Sequence, residues 1–232
     1  MNVLDNFLKI CRNKDIKGAI EFQKSLLSYL CLENRFKNFK SICSFDISYD
    51  KSSRKNFAVA ILLSYIKLEE VERSVIVEKA DFPYVPGLLA FREGPAIVKV
   101  FKKLRNKPDL LLFDGHGIAH PRGMGIASMI GILLDRPSIG CAKSRLVGDF
   151  TEPAQMKGSI SDLLYKGRKV GHVLRSRDKV KPIFVSAGHL IELDMATDIV
   201  LRCCHRYRLP KPVRMAHRLA NQVRMDSNRM ES

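Results

Sequence analysis

No uninterrupted apolar run in this chain approaches the length needed to cross a bilayer, so a spanning helix is not its organising element. The N-terminus also lacks the apolar stretch of a secretory signal, because Asp5, Lys9, Arg12 and Lys14 interrupt it; the expected location is the cytoplasm. No Cys-x-x-Cys pair occurs among Cys11, Cys31, Cys43, Cys141, Cys203 and Cys204, which argues against a zinc knuckle. In a cytosolic chain those cysteines read as small buried apolar residues. Tryptophan is absent, for no reason that the sequence supplies. Neither an internal repeat nor a linker is visible, so residues 1–232 are expected to form one domain.

Acidic residues are in deficit. Lys and Arg number 40 against 24 Asp and Glu, a net charge of +16. A field of that sign attracts polyanions, of which a phosphate backbone is the commonest. A basic surface that only confers solubility, or binds nucleic acid nonspecifically, has the same composition. The 46% hydrophobic content argues for a packed core rather than disorder.

Helical spacing in residues 1–35 (Leu4, Phe7, Leu8, Cys11, then Phe22, Leu26, Leu27, Leu30) predicts one or two amphipathic helices forming an outer extension, broken near Asn13–Lys14–Asp15. Three strand-like runs follow, at Ser41–Tyr49, Phe57–Ile66 and Val71–Lys79. Polar and charged turns separate them, which is the pattern of an antiparallel meander. In the first run Cys43, Phe45 and Ile47 fall on one face, and Ser44, Asp46 and Ser48 on the other.

Helix and strand then alternate. A helix is expected to start at Gly94–Pro95, since proline suits the first helical position. Strands are expected at Asp109–Phe113, Pro137–Cys141, Lys169–Leu174 and Pro182–Ser186, and helices from Ile126, Ala196 and Val213. The tail 226–232 is polar and expected to fray. Together these predict an α/β chain: a mixed sheet, antiparallel meander first, with helices on both faces. A ribonuclease H-like layout has that order, as do a few other α/β arrangements.

Several residues are candidates for chemistry. Asp46 lies on an apparently central strand, and Asp114 ends the apolar run before it, where open α/β sheets place ligands. Two carboxylates brought together there would need a cation between them, and a hard divalent ion suits oxygen ligands. Taken singly, each Asp equally suits a strand or turn cap, and Glu93 suits a helix N-terminus. The loop Asp114-Gly-His-Gly-Ile-Ala-His-Pro-Arg122 combines glycines for close approach (Gly115, Gly117) with His116 and His120 for metal, proton or phosphate. No Gly-Lys-Ser/Thr follows it, which excludes a Walker loop. Lys143 follows a short strand and could meet a phosphate, although a surface lysine is the plainer reading. His217 sits beside the apolar stripe of the last helix, where a lone histidine is more often structural. Tyr84, stiffened by Pro83 and Pro86, could stack on a base, or simply cover the core.

Taken together, these stretches resemble the endonuclease V family. They are Phe45-Asp46-Ile47-Ser48-Tyr49, Pro83-Tyr-Val-Pro-Gly-Leu-Leu-Ala-Phe-Arg-Glu-Gly-Pro95, the Asp114–Arg122 loop, Asp135-Arg-Pro-Ser-Ile-Gly-Cys-Ala-Lys-Ser144, Ser186-Ala-Gly-His189 and Tyr207-Arg-Leu-Pro-Lys-Pro-Val-Arg-Met-Ala-His217. The resemblance runs from about residue 41 to 221; residues 1–35 carry no motif of it, and 149–181 match loosely. It implies a ribonuclease H-like fold and an endodeoxyribonuclease acting at deaminated bases, chiefly deoxyinosine. The implied nick falls at the second phosphodiester 3′ of the lesion, leaving 3′-hydroxyl and 5′-phosphate ends. It implies Asp46, Glu93 and Asp114 as the acids that hold Mg2+, with Mn2+ as a substitute. Lys143, His120 and His217 match further active-site positions. Tyr84 matches a strand-separating wedge, with Pro83, Pro86 and Gly87 in its loop; Gly115, His116, Gly117 and Arg122 would contact substrate. The expected partner is DNA bearing deaminated bases, or RNA, met by a monomer. An inosine-specific RNA endonuclease, another ribonuclease H-like nuclease and a non-catalytic nucleic-acid-binding module remain the alternatives.

Overall fold

The computed structural model describes residues 2–36, 38–79 and 81–230. Two helices open the chain, α1 (Val3–Asn13) and α2 (Ile16–Ser25), followed by a 3-10 turn at Leu26–Tyr29. The expected break between them is real: Lys14 adopts a left-handed conformation, and Asp15 caps α2 by accepting from the Gly18 N–H at 2.9 Å. Strands β1 (Ser41–Tyr49), β2 (Lys55–Ser64) and β3 (Glu70–Lys79) form the antiparallel meander. Then come α3 (Leu89–Lys103), β4 (Leu110–Phe113), α4 (Ile126–Leu134), β5 (Ser138–Ala142), β6 (Ile160–Tyr165), β7 (Arg168–Leu174), β8 (Ile183–His189), α5 (Leu193–Cys203) and α6 (Lys211–Met230).

Among the described residues, eight strands join one sheet in the order β3-β2-β1-β4-β5-β8-β7-β6. β1, β4 and β5 run parallel at its centre, with antiparallel pairing on both sides. This is a ribonuclease H-like sheet, covered on both faces. Phe45, Leu62, Leu111 and Phe113 point to α1–α4, whereas Ile42, Ile61, Leu110 and Leu112 point to α5 and α6. Each large apolar side chain so buried contributes about 1.5–3 kcal/mol relative to exposure. Among the described residues, no helix is long and apolar enough to cross a membrane.

Two expectations need correction. Gly94–Pro95 does not start a helix. α3 begins at Leu89, after the Val85–Leu88 turn, and Pro95 lies inside it, forgoing one helical hydrogen bond. Gly94 is there for packing: a Cβ would come within 2.7 Å of the Phe7 ring. Strand β6 was not expected; in it only Leu163 is fully buried, which leaves almost no apolar signal. Of the tail expected to fray, residues 226–230 belong to α6, and 231–232 lie outside the described residues. The N-terminal helices pack against α3. Phe7 and Phe22 join Phe91 of α3 in an aromatic cluster, with ring centroids 5.5 and 6.3 Å from that of Phe91.

Candidate active site

The parallel pairing of β1 with β4 sets the centre of the site. Phe45 is in register with Phe113, so Asp46 and Asp114 follow side by side. The alternation along β1 turns Asp46 to the α6 face with Ser44 and Ser48, as its sequence predicts. α3, on the other face of the sheet, brings Glu93 near enough to feel the charges of Asp46 and Asp114. Lys143, just past β5, donates from Nζ to Asp114 Oδ2 at 2.6 Å. His217 of α6 donates from Nδ1 to Asp46 Oδ2 at 3.2 Å.

The acids feel one another. Burial raises the pKa of Asp46 above the usual carboxylate range; the neighbouring His217 opposes this and the charge of Asp114 adds to it. Burial, then the neighbouring charge of Asp46, pushes Glu93 up to about 8. Three carboxylates gathered in this way are electrostatically unfavourable without a counter-charge. Their oxygen donors suit a hard divalent cation. Among the described residues, no three His, Cys, Asp or Glu side chains are grouped closely enough to hold a metal ion by themselves. One or two carboxylates are what Mg2+ commonly takes from a protein, the rest of its shell being water and substrate phosphate.

Beside the acids lies a pocket of about 330 Å³. The loop carrying Tyr84, Val85 and Gly87 forms one wall, Gly115, His116 and His120 another, and Lys143–Leu146 a third. Tyr84 stands at the rim, 70% exposed, between the exposed Pro83 and Pro86. A second, basic groove follows α6 past His217, lined by Arg214, Arg218 and Arg229.

Other candidates are hydrogen-bonded or packed within the protein. His120 is 4% exposed; its Nε2–H donates to Gly87 O at 3.1 Å, and its Nδ1 accepts from the Arg122 N–H at 3.2 Å. Burial, assisted by the charge of Arg122, lowers its pKa to about 4. A neutral imidazole with both nitrogens engaged holds the loop. The Arg122 guanidinium also donates to Gly87 O, at 2.7 Å, and does not line the pocket. Gly117 is buried against β8, where a Cβ would meet Ala187 O at 2.0 Å, so its glycine answers to packing and not to ligand approach. His116 donates from Nε2 to Ser144 O at 3.1 Å, tying two pocket walls together, and burial lowers its pKa.

Sequence reasoning missed two groups. Asn221, one helical turn beyond His217, donates to His217 Nε2 at 3.1 Å and accepts from Ser48 Oγ at 3.0 Å; Arg224 donates to the same Ser48 Oγ at 2.8 Å. The i, i+4 spacing on α6 and the i, i+2 spacing on β1 were the available signals. The other is Gln23 of α2, buried at the back of the Tyr84 loop, for which no local signal existed.

Comparison with known proteins adds the family context. The endonuclease V family model matches residues 24–218. An endonuclease V of Dictyoglomus turgidum is 48% identical over 199 residues, 86% of this chain and 86% of its own length. The crystal structure of the Bacillus subtilis endonuclease V superposes with a TM-score of 0.88 at 30% identity, covering 95% of this chain and 98% of that one. A Ciona intestinalis endonuclease V, solved with a 23mer DNA containing an inosine followed by a ribo-adenosine, superposes with a TM-score of 0.80 at 28% identity, covering 89% of this chain and 95% of that one.

Proposed function

The chain belongs to the endonuclease V family and is a nuclease, and on that premise we propose that it nicks DNA at deaminated bases, chiefly deoxyinosine. The nick falls at the second phosphodiester 3′ of the lesion and leaves 3′-hydroxyl and 5′-phosphate ends. The observation that carries this reading is the meeting of Asp46, Glu93 and Asp114 beside a base-sized pocket with an exposed tyrosine at its rim. The inosine-containing DNA held by the Ciona relative supports the choice of substrate.

Asp46, Glu93 and Asp114 would hold Mg2+, or Mn2+ in its place, which when bound neutralises charge on the scissile phosphate and acidifies the attacking water. Lys143, an exposed cation at the same carboxylates, meets the phosphate and offsets the charge that develops on it. Asn221 holds the His217 ring so that its Nδ1–H faces Asp46, which fixes the orientation of that carboxylate. Tyr84 enters the duplex as a wedge, and the extruded base lies in the pocket between the Tyr84 loop and the Gly-His-Gly loop. The basic groove along α6 carries the flanking phosphates, and the protein acts as a monomer.

A labelled duplex with a single inosine tests this, beside an undamaged duplex, a single-stranded inosine oligonucleotide and an RNA counterpart. We expect one nick at the stated position with Mg2+, none with chelator, and a loss of at least about 10²-fold in Asp114→Asn. Cleavage indifferent to inosine would point to a general nuclease. Preference for the RNA would reverse the assigned substrate, and binding without cleavage would leave only a binding module.

A further inference from the structure

Gln23 lies far from the acids in sequence, belongs to α2 and is only 1% exposed. A buried primary amide needs partners, and this one finds them on two loops. Its Nε2 donates to Gly87 O at 3.1 Å and to Met124 O at 2.6 Å, and its Oε1 accepts from Arg122 Nε. Gly87 closes the Tyr84 loop in a left-handed conformation, φ +78°. Its carbonyl is gripped by three side chains at once: Gln23, His120 at 3.1 Å and Arg122 at 2.7 Å. At its other end the loop is pinned by Phe82, which is buried against Phe91 with ring centroids 5.7 Å apart. Tyr84 projects between these two anchors. Phe22, the neighbour of Gln23, packs into the Phe7–Phe91 cluster, so α1 and α2 are the foundation of the second anchor.

We propose that Gln23 is a positioning residue for substrate opening: through Gly87, Met124 and Arg122 it locks the 83–87 loop to the N-terminal helices, so that Tyr84 meets the duplex from a fixed base. The physical reason is preorganisation. A wedge on a slack loop spends binding energy on ordering itself, whereas a wedge on a clamped loop applies that energy to unstacking bases. This assignment rests on the wedge role given to Tyr84 above and extends it to a helix that carries none of the family's motifs in this sequence. It also gives α1 and α2 a function beyond covering the core.

The experiment has one arm independent of activity. The chain has no tryptophan, so Tyr84→Trp places a single indole on the loop. Adding Gln23→Met, which keeps the length and removes the hydrogen bonds, should lower the steady-state anisotropy of that indole and raise its quenching by acrylamide. Unfolding midpoints and far-UV circular dichroism check that the protein remains folded. Should Gln23→Met fail to fold, Gln23→Glu serves; it can still accept from Arg122 but has lost the donors to Gly87 and Met124. In the second arm, on the otherwise native chain, the substitution should lower kcat/KM on an inosine duplex by about 10- to 100-fold, mainly through KM. On a single-stranded inosine oligonucleotide, where no strands need parting, the loss in kcat/KM should be several-fold smaller, the remainder reflecting the place of Gln23 in the lining of the base pocket. Unchanged anisotropy and quenching in a folded variant would overturn the proposal, and so would equal losses on duplex and single strand. If the unmodified protein ignores inosine altogether, the functional reading falls, while the indole measurement still decides whether Gln23 clamps the loop.

Discussion

The imidazole of His120 is neutral in the fold, and its protonation sets a pH window for stability. Its pKa falls from 6.5 to about 4 because burial, and then the charge of Arg122, disfavour the cation; nearby His116 adds to this. Above pH 6.5 both folded and unfolded states carry a neutral ring, and the His120 contribution is fully present. As the pH drops below 6.5 the unfolded chain takes up the proton first, and stability declines until the folded pKa near 4 is passed. The size of the effect is about 3 kcal/mol. Urea unfolding of the wild type and of His120→Asn across that range should show a slope that the variant loses. Lys143→Ala belongs to the same scale. It removes a cation beside Asp114 without opening a cavity, because the side chain is exposed. Single-turnover cleavage should fall about 10²- to 10³-fold while inosine-duplex affinity changes little; a large loss of affinity with an unchanged rate would show that Lys143 only binds. The positions of Asp114 and Lys143 were legible from the ends of apolar runs, and that of Asp46 from the alternation along β1. Whether His120 carries protons or clasps a loop was not, because that depends on Gly87 and Arg122 closing over it.

At the level of elements, the sheet was readable where strands alternate or run wholly apolar. β1 falls within its expected bounds because Cys43, Phe45 and Ile47 alternate with Ser44, Asp46 and Ser48. β6 was invisible because it is an edge strand with little to bury. α3 was misplaced because Gly94–Pro95 mimics a helix start, while the true start at Leu89 has no side-chain cap. The loosely matching stretch 149–181 hides a strut. Arg175 is 2% exposed and donates to the carbonyls of Ala154, Pro153 and Val180 and to Glu152. Arg175→Met should leave these carbonyls unpaired and destabilise the fold by about 2–4 kcal/mol, read as a lower urea midpoint with an unchanged m-value. A loss below about 0.5 kcal/mol would mean that water replaces the guanidinium at no net penalty.

For the whole molecule, the charge of +16 makes affinity for nucleic acid strongly salt-dependent. If the groove along α6 engages four or more phosphates, raising salt from about 50 to 200 mM should weaken binding by about 10²-fold or more. Fluorescence anisotropy of a labelled duplex measures the slope. Substituting Arg214 and Arg218 by Ala should flatten it equally for inosine-containing and undamaged duplexes, because phosphate contacts carry no sequence information. A slope near zero, or one unaffected by the two substitutions, would remove that groove from the binding surface.

Local chemistry in the chain was enough to determine the mixed sheet, the two faces of β1, the net positive charge and the family resemblance. Each of these depends on period, composition or a contiguous motif, and survives without knowledge of distant contacts. The tertiary structure alone decided which side chains meet: His217 with Asp46, Asn221 with Ser48, Gln23 with Gly87 and Met124. These partners stand between 64 and 173 residues apart in the chain, where no local period can couple them. The parallel register of β1 and β4, and the aromatic cluster that seats α1 and α2, bring them together.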